Sequence, residues 1–250
     1  MAIGSRTWAP RAFYVPGFPK GVKWLLIGNV AIFLVGFFLQ LGQLDGPLRH
    51  LPLTPTEVVG KFFVWQLVTY LFLHGGIGHI LWNMLALWMF GADLEGAWGT
   101  RRFLQFYFFC GIGAGICVVI ANFLLPWGNP NVPTIGSSGA IFGILLAYAM
   151  LFPTRTILMF FLIPIQVKYF VMIIGTIAFL SSFQVNSGVS EFAHLGGLLF
   201  GYIFMKTPNI QFDPVAPMQR AYRDWKLQRA KKKFQVYLRK QNSDRNPRVH

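Results

Sequence analysis

Long apolar runs separated by shorter polar segments dominate the chain. Six of these runs approach the roughly 20 residues that a helix needs to cross a bilayer. Their approximate limits are 24–42, 79–94, 102–125, 138–152, 167–183 and 191–205. The pattern therefore predicts six transmembrane helices.

Two further apolar stretches are too short to span a bilayer. One, Phe62 to His74, lies in a proline-interrupted connection that covers residues 43–78, and the other runs from Ile157 to Pro164. Short apolar segments beside spans are typical of re-entrant or interfacial structure. We expect the first to be re-entrant or interfacial and the second to be an interfacial connection.

The composition supports the same class of protein. Hydrophobic residues make up 54% of the chain and charged residues only 12%, about half the charged share of an ordinary soluble domain. The predicted fold class is an all-α polytopic membrane protein. Cys110 and Cys117 fall in one apolar run, and we expect neither a disulfide nor a metal site from them.

The net charge of +14 is unevenly distributed, because about half of the 22 Lys and Arg residues follow Thr207. The positive-inside rule places both termini in the cytoplasm. We predict a cytoplasmic segment at 1–21, a membrane domain at 22–205 and a basic tail at 206–250. Residues 221–240 of the tail are expected to form an amphipathic helix on anionic lipid headgroups, and nucleic-acid binding is the alternative that we do not expect.

Polar side chains in apolar runs are unfavourable in lipid, and the first group of them lies in the segment LHGGIGHILWNML. His79 and Asn83 are four residues apart and share one helix face, and His74 precedes them. The pair could donate hydrogen bonds to a developing negative charge. The alternatives are an interhelical polar contact, or a zinc site that would need another ligand nearby.

The second group is TIGSSGAIFG, residues 134–143, at the start of the fourth run. Ser138 is predicted at a helix N-terminus, where unpaired N–H groups and the helix dipole favour negative charge. An oxyanion formed at Ser138 would find its own backbone N–H there. The alternative is an N-cap followed by a small-residue packing face formed by Gly139 and Gly143.

The third group is EFAHLGGLLFGY in the sixth run, where His194, Gly197 and Gly201 share roughly one helix face. If this face packs on the glycines of the fourth run, His194 comes beside Ser138. A histidine that bonds a backbone carbonyl is the alternative.

Together the three groups supply the parts of a hydrolytic site. Serine and histidine form a nucleophile and its general base, and His79, Asn83 and a backbone N–H form an oxyanion hole. All lie near the predicted outer ends of their spans, at a shallow depth that water can reach.

At these positions the sequence resembles the rhomboid family of intramembrane serine proteases, over about residues 22–205. The resemblance rests on His74, His79, Asn83, Gly136, Ser138, Gly139, His194, Gly197 and Gly201. It implies a six-helix bundle with a membrane-embedded first loop and a Ser138–His194 dyad that needs no cofactor or metal. It also implies an oxyanion hole from His79, Asn83 and the Ser138 N–H, and it selects Ser138 over Ser137 as nucleophile.

The chain departs from the family pattern at two positions. Many bacterial members carry Trp-Arg in the first loop, where this chain has Trp65-Gln66, and the family often has tyrosine where this chain has Phe142. We expect Phe142 to stack on the His194 ring and orient it. Glu191, three residues before His194, is expected to face water, as a carboxylate at the outer membrane surface favours, and the family's dyad includes no acid. The alternative is that its carboxylate reaches His194.

The resulting hypothesis is an intramembrane serine endopeptidase that cleaves transmembrane segments of membrane proteins. The alternatives are a catalytically silent rhomboid-like protein that binds membrane clients, and a small transporter. The compact six-span form is typical of a bacterial cytoplasmic membrane protein, with an organelle inner membrane as the alternative location.

Overall fold

The computed structural model describes residues 17–44, 46–126, 128–159, 162–182, 190–207, 222–232 and 234–235. Within residues 17–207 it contains eight α-helices and one pair of strands. The helices are α1 Lys20–Leu41, α2 Pro55–Gly60, α3 Gln66–Thr69, α4 Ile77–Trp98, α5 Thr100–Leu124, α6 Ser138–Leu151, α7 Val167–Ser181 and α8 Ser190–Lys206. The strands are β1 Thr156–Met159 and β2 Ile163–Gln166.

The six long helices coincide with the six apolar runs to within a few residues, so the predicted helical membrane bundle is confirmed. Three of them, α1, α4 and α5, are long and apolar enough to cross a membrane by length and composition alone. The two helices α6 and α7 are apolar but shorter, with 14 and 15 residues.

The connection between α6 and α7 adds two short strands to the helical bundle. Strands β1 and β2 pair antiparallel, with Thr156 opposite Gln166 and Met159 opposite Ile163. Two four-residue strands can satisfy each other's backbone groups where the apolar run is too short to form a spanning helix. The described residues of this connection are therefore paired strands, and its interfacial location stays a prediction.

Helices α5, α6 and α8 form the centre of the bundle, and α1 lies at its edge. The aromatic side chains of Phe103, Phe106 and Tyr107 on α5 are fully buried. Helix α1 buries only residues in its first three turns, and large apolar side chains such as Phe37 and Phe38 are exposed along its second half. Such an apolar exposed face suits contact with lipid.

A buried carboxylate fixes the start of α1 against α4. Glu95 is 3% exposed, and its two oxygens accept hydrogen bonds from the N–H groups of Gly21 (2.8 Å) and Val22 (2.7 Å). The first N–H groups of a helix have no partner within the helix, and a negative charge there is favourable. Thr100 also donates to this carboxylate, at 2.5 Å.

The connection between α1 and α4 is held by hydrogen bonds of Gln66, which is fully buried. Its side-chain oxygen accepts from the Thr54 N–H at 2.9 Å, and its amide nitrogen donates to the Glu57 carboxylate at 2.7 Å and to the His50 carbonyl at 3.2 Å. The neutral amide thus ties together three points of the loop. It does so at the position where the family often has arginine.

The same loop is joined to the segment that precedes α6. Leu53 and Thr134 form an antiparallel bridge, with N–H to carbonyl distances of 3.0 and 2.9 Å in the two directions. The Gly136 N–H donates to the Tyr70 carbonyl at 2.9 Å. The loop therefore positions the residues that lead into Ser138.

The described residues of the tail, 222–232 and 234–235, belong to a second structural unit of the chain. Residues 222–232 of this unit are helical, within the predicted amphipathic segment 221–240. The Tyr222 and Trp225 rings stack at 5.9 Å, and the Arg229 guanidinium lies 4.4 Å from the Trp225 ring centre.

Candidate active site

A seam of glycines brings α6 and α8 into backbone contact. A Cβ on Gly197 would overlap the Gly139 carbonyl oxygen, and a Cβ on Gly201 would lie 3.0 Å from the Gly143 Cα. A Cβ on Gly139 would lie 3.1 Å from the Ala193 carbonyl oxygen and 2.6 Å from the Ala114 Cβ. The two predicted glycine faces therefore pack against each other, as small residues at helix interfaces allow.

This seam places Ser138 and His194 within hydrogen-bonding distance. Ser138 is the first residue of α6, His194 is in the second turn of α8, and the Ser138 Oγ lies 3.0 Å from the His194 Nε2. Two side chains 56 positions apart in the sequence are thus brought together, and they are the two that the motifs predict as nucleophile and base.

The ring of His194 has two further contacts. Phe142, one turn along α6 from Ser138, stacks on it with a centroid distance of 4.2 Å and an interplanar angle of 8°, so the predicted stacking is confirmed. The Glu191 carboxylate lies 3.3 Å from the His194 Nδ1. Glu191 was expected to face water, but its side chain is only 24% exposed and bonds the imidazole edge instead.

His79 and Asn83 lie on the α4 face that borders Ser138. The His79 Nδ1 faces the Gly75 N–H at 3.4 Å, and the Asn83 amide donates to the His79 carbonyl at 2.8 Å. If Nδ1 accepts from Gly75, the His79 proton resides on Nε2 and is available for donation. The His74 ring meets the His79 ring edge-on at 5.0 Å and supports it from the loop side.

Two features require glycine at position 136: the backbone conformation there and the close contact with His79. The Gly136 φ of 121° lies in the left-handed region, and a Cβ there would be 2.8 Å from the His79 Nε2. Ser137 is fully buried, and its hydroxyl faces Tyr107 of α5. The two adjacent serines are thus separated, because Ser138 faces His194 and Ser137 faces the core.

The predicted site residues Ser138, His194, His79 and Asn83 line a cavity of about 420 Å³. Its wall combines the polar groups of Ser138, His194, His79 and Asn83 with apolar side chains such as Trp82. Helix α6 has 14 residues, which at 1.5 Å per residue extend about 21 Å, less than the roughly 30 Å of a bilayer core. A helix this short leaves one of its ends within the membrane, and Ser138 is at an end.

Within residues 17–207 as described, no three His, Cys, Asp or Glu side chains lie close enough together to hold a metal ion. Cys110 and Cys117 are free thiols on α5. Cys110 packs at the seam, where a Cβ on Gly143 would lie 2.6 Å from its sulfur. The polar side chains that line the cavity carry hydroxyl, imidazole and amide groups.

The sequence interpretation was wrong about one contribution to this site and had no signal for another. Glu191 was expected to face water, although its spacing of three from His194 also allows it to reach the ring. The hydrogen bonds of Gln66 had no sequence signal, because their partners lie 9 to 16 residues away in an irregular loop.

Comparison with known proteins identifies the family. A family model described as Rhomboid domain matches residues 61–207. The chain is 38% identical over 138 residues to the Bacillus subtilis protein named Rhomboid protease GluP, covering 55% of this chain and 25% of that protein. It is 28% identical over 227 residues to RHOMBOID-like protein 1 of Arabidopsis thaliana, covering 76% of this chain and 54% of that protein.

A third similarity is to Rhomboid protein 1, mitochondrial, of Saccharomyces cerevisiae. The identity is 29% over 208 residues, covering 78% of this chain and 55% of that protein. The chain thus spans about a quarter to about half the length of these relatives. The matched region contains α4, α5, α6 and α8, which carry the cavity described above. The chain is an integral membrane protein that belongs to the rhomboid family.

Proposed function

We propose that this protein is an intramembrane serine endopeptidase that cleaves transmembrane segments of other membrane proteins. The observation that carries the proposal is the 3.0 Å separation of the Ser138 Oγ and the His194 Nε2 inside a cavity of about 420 Å³. The name of the Bacillus subtilis relative, Rhomboid protease GluP, supports proteolysis as the activity.

Ser138 and His194 carry the bond-breaking steps of this mechanism. The Ser138 hydroxyl donates its proton to the His194 Nε2 as the Oγ attacks the scissile carbonyl carbon. His194 then gives this proton to the leaving amine. A water molecule that enters through the cavity attacks the acyl-serine, with His194 again accepting a proton.

Three N–H groups would hold the oxyanion in this mechanism. The Ser138 N–H lies in the first turn of α6, where no helical carbonyl is available to it. The His79 Nε2–H and the second amide hydrogen of Asn83 line the same cavity. Because these donors belong to helices, they are held in place before the charge develops.

The proposal also covers the substrate and the location of the protein. We infer that a substrate segment unwinds near its outer end and presents its scissile carbonyl to the cavity. Both termini lie in the cytoplasm in this proposal, and a bacterial cytoplasmic membrane is the location. The basic tail contacts anionic lipid headgroups, and tail deletion leaves catalysis in place.

The test is cleavage of a model transmembrane substrate by the purified protein in proteoliposomes. Ser138→Ala and His194→Ala should each lower cleavage at least about 1,000-fold, because each removes a partner of the proton transfer. Ser137→Ala is the matched control and should retain cleavage. Full activity of Ser138→Ala would refute the proposal. Binding of the substrate without cleavage by the native protein would favour the silent client-binding alternative.

A further inference from the structure

The Nδ1 edge of His194 faces a carboxylate that the two-residue mechanism does not use. Glu191 and His194 are three residues apart in the first turns of α8, and their side chains are 24% and 19% exposed. The Glu191 oxygen lies 3.3 Å from Nδ1, while the opposite ring nitrogen lies 3.0 Å from Ser138. The three groups form a continuous chain from carboxylate to imidazole to hydroxyl.

This arrangement matters because of the protons on the ring. For Nε2 to accept the Ser138 proton, the neutral His194 must carry its own proton on Nδ1. An Nδ1–H needs an acceptor, and a carboxylate that accepts it fixes both the tautomer and the rotation of the ring. Phe142 holds the plane of the ring by stacking, but an apolar contact cannot select between the two tautomers.

The charge of Glu191 acts in the same direction. When His194 takes the Ser138 proton it becomes an imidazolium, which an adjacent carboxylate stabilises. The other titratable group that faces His194 within the described residues is His79, on α4. A positive charge there would oppose the imidazolium, so Glu191 is the group of favourable sign.

We propose that Glu191 is a positioning residue that completes a Ser138–His194–Glu191 triad in this protein. The proposal rests on the proposed function, since it concerns the base of that reaction. The carboxylate does not take up the proton. It holds the Nδ1–H and stabilises the charge while Nε2 exchanges the proton with Ser138 and the leaving amine.

A structural explanation competes with this one. An acidic residue in the first turn of a helix interacts favourably with the helix dipole, and Glu191 is in the first turn of α8. This role predicts a change in thermal stability when the charge is removed. It does not predict a change in the pH dependence of catalysis.

The experiment measures kcat/KM against pH for the native protein, Glu191→Gln and Glu191→Ala in proteoliposomes, together with the thermal stability of each. Glu191→Gln keeps an acceptor but loses the charge, and we expect kcat/KM to fall about tenfold. Glu191→Ala loses both, and we expect a fall of about 100-fold, below the roughly 10,000-fold known for a triad acid because Phe142 still holds the ring plane.

The acidic limb of the pH profile is the fall of kcat/KM toward low pH. It is the readout that separates the triad role of Glu191 from the helix-dipole role. Loss of the Glu191 carboxylate should move the limb to lower pH, because it removes the negative charge beside the imidazole that takes up the Ser138 proton. Phe142→Leu is the control, since it should lower kcat/KM without moving the limb. An unmoved limb in both Glu191 variants would overturn the proposal, whether or not thermal stability falls.

The proposal would also be overturned if Phe142→Leu moved the acidic limb by the same amount, because the limb would then respond to the loss of any contact with His194. Ser138→Ala measured alongside separates this failure from failure of the proposed function. If Ser138→Ala loses cleavage while the Glu191 variants behave like the native protein, only the triad proposal is refuted. Retained cleavage in Ser138→Ala removes the serine mechanism as a whole.

Discussion

The seam between α6 and α8 and the connection between α1 and α4 support the candidate active site in opposite ways. At the seam, glycines let backbone touch backbone, so Gly139 and Gly197 leave no room for another atom. In the connection, the buried Gln66 side chain satisfies polar groups of three separate residues. The seam between α6 and α8 has no space for an added atom, whereas the connection between α1 and α4 depends on the polar atoms of the Gln66 side chain.

This difference separates catalytic activity from stability, two properties that a single substitution often changes together. The seam sets the distance between Ser138 and His194, so a change there should act on catalysis. The connection carries no group of the Ser138–His194 pair but holds the segment before α6, so a change there should act mainly on stability. The predictions that follow test this division, beginning with the largest effect.

Among the substitutions in these two regions, Gly197→Ala should lower proteolytic activity most. Its Cβ would overlap the Gly139 carbonyl oxygen, so α8 must move away from α6 and carry His194 with it. A displacement of about 1 Å can lower a rate about 100-fold, and we expect at least that loss of kcat/KM. Cleavage of a model transmembrane substrate is the measurement, with helical content monitored by circular dichroism.

Gly28→Ala is the matched control, because its Cβ would make an ordinary 3.7 Å contact with Phe72 on the edge of the bundle. We expect activity close to that of the native protein. A folded Gly197→Ala protein with native activity would show that the seam does not set the distance between Ser138 and His194.

Gln66→Ala should lower stability more than activity. The substitution removes three part-buried hydrogen bonds: the Thr54 N–H loses its side-chain acceptor, and the His50 carbonyl and the Glu57 carboxylate each lose one donor. We expect a loss of about 3 kcal/mol in the free energy of unfolding. Thermal or denaturant unfolding in mild detergent measures it.

Thr69→Val is the comparison within the same loop, because it removes one hydrogen bond, from Thr69 to the Leu51 carbonyl at 2.6 Å. It should lower stability by about 1 kcal/mol. If Gln66→Ala abolished cleavage while leaving the unfolding free energy unchanged, the division between the two regions would be wrong.

The smallest effect concerns the acid stability of the same loop. Partial burial raises the pKa of Glu57, but hydrogen bonds from Gln66, Lys61 and His50 outweigh it and hold this pKa below its ordinary value of 4.5. A lowered folded-state pKa stabilises the protein above pH 4.5, and the stability is lost as the pH falls through the folded pKa.

Unfolding measured between pH 3 and pH 7 should therefore show a weaker dependence on pH in Glu57→Gln than in the native protein, and both should be compared at constant ionic strength. The variant keeps the size of the side chain and an acceptor oxygen. Identical pH dependence in the two proteins would mean that the Glu57 carboxylate contributes nothing to the loop.

The sequence predicted what depends on periodic pattern. Apolar runs gave the helix limits because lipid requires about 20 apolar residues, and the four-residue spacing of Gly139 and Gly143 indicated a close-packing face. The same spacing in Gly197 and Gly201 predicted that His194 lies beside Ser138.

What could not be predicted depends on long-range or rotameric detail. The stretch from Ile157 to Pro164 is too short for periodicity to separate strand from helix, and its described residues lie in paired antiparallel strands. Gln66 meets partners whose positions depend on the path of an irregular loop. Glu191 had two orientations available at the start of α8, and the choice between water and imidazole is a rotamer choice that composition does not encode.

The glycine seam also has a consequence for conformational entropy. A leucine buried at an interface loses about 0.5–1 kcal/mol of rotamer freedom, whereas glycine has no side-chain rotamers to lose. Contact between the backbones at Gly139 and Gly197 therefore brings Ser138 and His194 together with no side-chain ordering at these two positions. The separation of their backbones is set by the contact of the two helices, and in the resting protein Oγ and Nε2 already lie 3.0 Å apart.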